Sequence, residues 1–119
     1  MSRLIKAFGF AANGAIVSFS KERHFKIHFC FAIAVVISGW YFVISLNEWI
    51  LLLTCTGFVL CMEMINTAIE HLCNIIYKED HHGIKIIKDI SAGAVLISAI
   101  TAAICGMIVF IPKIFLLFK

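Results

Sequence analysis

Three long apolar runs divide the chain, and polar residues interrupt them at only a few points. The first extends from Ile27 to Ser45, apolar apart from His28, Ser38 and Ser45. A turn over Ser45-Leu46-Asn47-Glu48 is expected to follow it. The second starts at Trp49, stays apolar to Met62 and keeps a helical pattern to about Ile76. The third covers about Ile90 to Ile111, where Pro112 is expected to end the helix. A helix needs about 20 largely apolar residues to cross about 30 Å of hydrocarbon. The pattern therefore predicts three membrane spans, at about 27–45, 49–76 and 90–111.

The segment before them reads differently. Leu4, Ile5, Phe8, Ala12, Ala15, Ile16 and Phe19 fall on one side of a helix, with Phe10 and Val17 off it. This predicts a surface helix over 1–24, lying on the membrane and partly packed against the spans. Asn13 breaks its apolar stretch, Lys21-Glu22-Arg23 follows, and no small-residue cleavage pattern ends it, unlike a signal peptide. No repeat or long linker divides the chain, so 1–119 reads as a single domain.

Composition narrows the class. The chain has 119 residues, of which 62% are hydrophobic and 14% charged, and its mean hydropathy is +1.03. A soluble domain carries about 25% charged residues, and so short a chain cannot enclose this much apolar surface. The fold class expected is all-α membrane protein. The five cysteines form no CxxC pair and lie mostly in apolar runs, where they act as small hydrophobes.

Charge sets the orientation. The net charge is +3, and nothing resembles a nucleic-acid-binding arm. Arg3, Lys6, Lys21, Arg23 and Lys26 precede the first span, and Lys78, Lys85 and Lys88 lie between the second and third. The first loop has no basic residue, and the C-terminus has Lys113 and Lys119. Basic residues mark the cytoplasmic side. The chain is expected to cross the cell inner (plasma) membrane several times, with a cytoplasmic N-terminus and second loop. The turn at Asn47 and the end at Lys119 would then lie outside.

The second span carries polar residues that lipid does not tolerate cheaply. Glu63, Asn66, Glu70 and Asn74 fall within an arc of about 80° on a helix, with Thr67 just outside it. A carboxylate at membrane depth costs about 2.5–3.5 kcal/mol on insertion scales, which makes it a functional-site candidate. At about 1.5 Å per residue from Trp49, Glu63 lies about 21 Å and Glu70 about 31 Å below the outer surface. The stripe thus emerges at the inner headgroups, where a lipid and a water-soluble cosubstrate can meet.

Lys88 and Asp89 begin the third span at the same level. They form either a simple salt bridge or, facing the acidic stripe, part of a phosphoryl-transfer site. That reaction needs metal-binding carboxylates, a cation for phosphate oxygens and a base for the attacking hydroxyl. Glu22, Arg23 and Lys26 form a second mixed cluster, which would alternatively be a solvated anchor. Ala94, Ser98, Ala102 and Gly106 recur every four residues and read as a packing ladder. His24 and His28 are one turn apart but lack a third ligand at usable spacing for zinc, and His81-His82 read as solvated loop. There is no Walker-type or protein-kinase signature.

The segments Glu63-Met-Ile-Asn66-Thr67-Ala-Ile-Glu70 and Lys88-Asp89-Ile-Ser-Ala-Gly93 strongly resemble the prokaryotic diacylglycerol kinase/undecaprenol kinase family. Ala12-Asn-Gly14 and Glu22-Arg23-His24-Phe25-Lys26-Ile27-His28 fit the same family's surface helix and the start of its first span. The resemblance implies a homotrimeric membrane lipid kinase in which ATP-Mg²⁺ and a lipid alcohol meet between subunits. It implies that Glu63 is the general base and that Glu22 and Glu70 are metal ligands. Lys88 and Asp89 would be the nucleotide-site pair, and Asn66 a polar residue near the base. Asn74 stands where the family often has Asp and is a weaker nucleotide-site candidate. The segment from Glu22 to His28 looks more like the undecaprenol kinase branch, which implies undecaprenol as preferred substrate and diacylglycerol as the alternative. Outside the family, a small proton-coupled exporter also uses membrane glutamates, though typically one acid in four spans. A non-enzymatic membrane adaptor would leave the acidic stripe unexplained.

Overall fold

The computed structural model describes residues 2–79 and 81–118, without the side chain of Lys21; Lys119, expected outside the cell, lies outside the described residues. These residues form four helices and no strand. They are α1 (Arg3–Lys21), α2 (Arg23–Phe42), α3 (Leu46–Ile76) and α4 (His82–Leu117). The chain is an all-α, multi-pass membrane protein: α2, α3 and α4 are each long and apolar enough to cross a bilayer. No more than 22% of the residues in each span's most apolar stretch are buried within the chain. Most of that surface is left for lipid or for other chains.

α1 and α2 are nearly continuous, and the break between them is a single extended residue, Glu22 (φ −107°, ψ 115°). The expected surface helix over 1–24 is thus α1, ending at Lys21. Phe19 of α1 folds over the start of α2 and meets the rings of Phe25 and Phe29 edge-on. The inward face of α2 is Phe25, His28, Ala32, Val35 and Gly39, spaced by three and four residues as a packed helical stripe must be.

The first turn comes earlier than the apolar pattern predicts. α2 ends at Phe42, and Val43 takes the left-handed conformation (φ 51°, ψ 59°). Ser45 then caps α3: its Oγ accepts from the Glu48 N–H at 3.2 Å, while Glu48 Oε1 accepts from the Ser45 N–H at 2.9 Å. This reciprocal capping box places Leu46, Asn47 and Glu48 in the first turn of α3, not in a loop. Gly39 is required here, because a Cβ on it would come within 2.6 Å of Trp49 Cη2.

α3 packs most extensively against α4, then against α2. Pro112 does not end the third span, as its sequence position suggests; α4 continues through it to Leu117. Proline is tolerated in a membrane helix where neighbours hold the chain in place. Here the next residue, Lys113, donates from Nζ to Glu48 Oε2 at 2.7 Å and to the Val109 carbonyl at 3.3 Å. The small-residue ladder is only partly inward: Ser98 is buried and Ala102 and Gly106 half-buried, but Ala94 is exposed. All five cysteines are free thiols.

Candidate active site

The acidic stripe of α3 faces its neighbours rather than lipid. Glu63 is buried, with only 4% of its surface exposed, and Thr67 is buried beside it. The Thr67 hydroxyl donates to the main-chain carbonyl of Glu63 at 3.0 Å. That hydroxyl is therefore engaged with backbone and does not serve the carboxylate. Across the α2–α3 contact, His28 Nδ1 stands 2.8 Å from Glu63 Oε1. The two atoms are close but out of line, so the Nδ1 group is buried without a formed hydrogen bond.

One to three turns further along α3, the stripe meets α4. Ser91 Oγ donates to Asn66 Oδ1 at 2.6 Å, and Asn66 Nδ2 donates to Glu70 Oε1 at 3.2 Å. Lys88 Nζ donates to Asn74 Oδ1 at 2.7 Å. Lys88 and Ser91 are three residues apart on α4, so they present to one side of it. Asp89 does not join them. As the neighbour of Lys88 it points about 100° away, and it pairs with Lys85 one turn back, largely in solvent. The simple salt bridge considered between Lys88 and Asp89 does not form; each has another partner.

Glu22, at the α1–α2 break, reaches toward α3 from the other side. Its Oε1 lies 3.8 Å from His71 Nε2, beside the turn that carries Glu70. Glu22 and Glu70 are both half-buried. Among the described residues no three metal-ligating side chains cluster. Two carboxylates nevertheless suit Mg²⁺, which binds one or two of them and fills its shell with phosphate and water oxygens.

Two cavities flank this network. One, of about 550 Å³, opens where α3 gives way to α4 and is lined by Asn74, Tyr77, Lys78, His81, Lys85 and Lys88 among others. Three lysines in one cleft suit a polyphosphate. His81 and His82, read as solvated loop, line this cleft; His81 caps α4, its Nδ1 accepting from the Gly83 N–H at 3.0 Å. The other cavity, of about 320 Å³, lies between α2, α3 and α4 and is almost wholly apolar. It extends from Phe110 and Leu52 past Val59 to His28.

A family model described as Prokaryotic diacylglycerol kinase matches residues 9–110. The chain belongs to that family. It is a lipid kinase, which replaces the exporter and adaptor expectations. The undecaprenol kinase of Bacillus subtilis (strain 168) is 35% identical over 114 residues, covering 96% of this chain and 93% of its own. The diacylglycerol kinase of Escherichia coli (strain K12) is 33% identical over 104 residues, 87% of this chain and 84% of its own. That of Synechocystis sp. is 30% identical over 112 residues, 93% of this chain and 64% of its own.

For a lipid kinase the arrangement is chemically coherent. It offers a buried carboxylate, two half-buried carboxylates near one another in the fold and a lysine-rich cleft along one face of α3. Two participants escaped the sequence reading. Ser91 lies within the Lys88–Gly93 segment but has no role assigned by the sequence, because its fit with Asn66 depends on the rotation of α4 against α3. His28 was weighed with His24, which is exposed. The spacing of Phe25, His28, Ala32 and Val35 is the signal that turns His28 inward.

Proposed function

We propose that this kinase transfers the γ-phosphoryl group of ATP to the hydroxyl of undecaprenol at the cytoplasmic face of the inner (plasma) membrane. The products are undecaprenyl phosphate and ADP. The observation that carries the reading is the position of buried Glu63 on α3, between the apolar cavity and the lysine-rich cleft. A lipid hydroxyl approaching from the cavity passes His28 and reaches Glu63, one turn of α3 beyond Val59. The carboxylate accepts the hydroxyl proton as the oxygen attacks the terminal phosphorus. Lys88, joined by Lys78 and Lys85 in the cleft, holds phosphate oxygens, and Asn74 orients the Lys88 ammonium. Asp89, already paired with Lys85, sets the charge at the rim of the nucleotide site. Asn66, held by Ser91, orients Glu70. Glu22 and Glu70 would hold Mg²⁺, which supplies positive charge to the phosphates when bound.

The preference for undecaprenol rests on the apolar cavity and on the Bacillus relative. Thr56, one of its few polar linings, already donates its hydroxyl to the Leu52 carbonyl at 2.9 Å. Ester carbonyls of a diacylglycerol placed there lose water without gaining a partner, a cost that a polyprenyl chain avoids. The names of the family model and of the Escherichia coli relative support diacylglycerol as the alternative substrate, and the same desolvation cost would make it the slower one. Turnover of both lipids with labelled ATP in the same mixed micelles tests this. A higher kcat/KM for undecaprenol is expected, and a higher value for diacylglycerol reverses the assignment.

The homotrimer that the family resemblance implies, with ATP and lipid sites shared between subunits, would cover part of the exposed apolar faces of the spans. Mixing two inactive variants, one altered at Glu63 and one at Lys88, should restore activity if residues of different subunits complete a site.

A further inference from the structure

We infer that His28 is a positioning residue for Glu63, an inference that rests on the reading of Glu63 as the base. A buried carboxylate needs a hydrogen-bond donor to offset its loss of water and to aim it. The groups around Glu63 leave few choices. The Thr67 hydroxyl is engaged with the main chain, and Ser91, about one turn along the stripe, with Asn66. His28 Nδ1 is the side-chain donor placed beside the carboxylate, 2.8 Å from Oε1. It comes from a different helix, so the bond, once formed, ties Glu63 to α2.

The geometry gives the two oxygens of Glu63 separate tasks. With Oε1 facing Nδ1, Oε2 is left to take the proton of the lipid hydroxyl. His28 also lines the cytoplasmic end of the apolar cavity. The ring thus stands where the lipid headgroup passes to reach the base. The misalignment of Nδ1 and Oε1 means that a small rotation of either side chain completes the hydrogen bond. Contacts at catalytic groups commonly tighten in this way once substrate is bound.

Kinetics of His28→Ala and His28→Asn, each alone and combined with Glu63→Gln, test the inference. Asn places an amide N–H close to the position of Nδ1. His28→Ala should lower kcat about 10–100-fold, as small misplacements of catalytic groups do. KM for ATP should stay within about twofold of the parent, because His28 touches Glu63 and is not among the residues that line the lysine-rich cleft. His28→Asn should recover most of the loss. In the Glu63→Gln background, His28→Ala should cost nothing further, since residues acting as a unit are not additive. Parent-like turnover in His28→Ala overturns the inference. So does failure of Asn to rescue a protein of unchanged helicity, or a full further loss in the Glu63→Gln background. High turnover of Glu63→Gln itself instead refutes the base assignment, which keeps the two failures apart.

Discussion

Ser91 on α4 donates to Asn66 on α3 at 2.6 Å, and that single bond decides which way the Asn66 amide faces. With Oδ1 occupied, Nδ2 is turned to Glu70. Ser91→Ala leaves the amide free to rotate and Glu70 without its donor. Changes to groups that orient a metal ligand typically cost about 10–100-fold in metal affinity. The Mg²⁺ concentration for half-maximal activity should rise about 10-fold in this variant. A metal titration at saturating ATP checks it.

Glu63→Gln preserves size and hydrogen bonding but cannot accept a proton. Loss of a general base costs about 10²–10⁴-fold in rate. The variant should stay folded, bind ATP and be almost inactive. Single-turnover assays alongside nucleotide-binding measurements separate these properties, and retention of most turnover removes Glu63 from that role.

Glu22→Gln and Glu70→Gln should each raise the Mg²⁺ requirement, because hard divalent cations prefer carboxylate to amide oxygen. The two act from opposite sides of the α1–α3 contact. Metal titrations unchanged in both would leave them as structural charges.

Gly39→Ala tests the packing of the turn between α2 and α3. Its Cβ would stand 2.6 Å and 2.9 Å from two carbons of the Trp49 ring, so the indole must shift. Overpacking of this kind costs about 1–3 kcal/mol. A lower thermal midpoint in detergent is expected, with kcat of the surviving protein unchanged.

Topology is open to direct labelling. In a cysteine-free background, Asn47→Cys should react with a membrane-impermeant reagent added outside intact cells, and Glu79→Cys should not. Both positions are exposed on the chain. The reverse pattern would put the lysine-rich cleft outside and withdraw the ATP site.

Much of this architecture is legible in the sequence because membrane spans and a charged stripe are local patterns. Glu63, Asn66, Glu70 and Asn74 share a face by helical periodicity alone. What they touch does not follow from periodicity. His28, Ser91 and Lys88 meet the stripe through the rotation and register of three packed helices, which depend on side chains far apart in the chain. The passage of α4 through Pro112 is illegible for a related reason: the Glu48–Lys113 contact that accompanies it joins residues 65 positions apart. The Ser45–Glu48 capping box, by contrast, was visible as S-x-x-E and read as a turn.

The ion pair between Glu48 and Lys113 also bears on motion. It ties α3 to α4 at the end near the α2–α3 turn, while Lys88–Asn74 and Ser91–Asn66 tie them toward the α3–α4 loop. Fastened at both ends, the two helices behave as one strut. Compliance is left to α1 and α2, which meet at the lone extended residue Glu22.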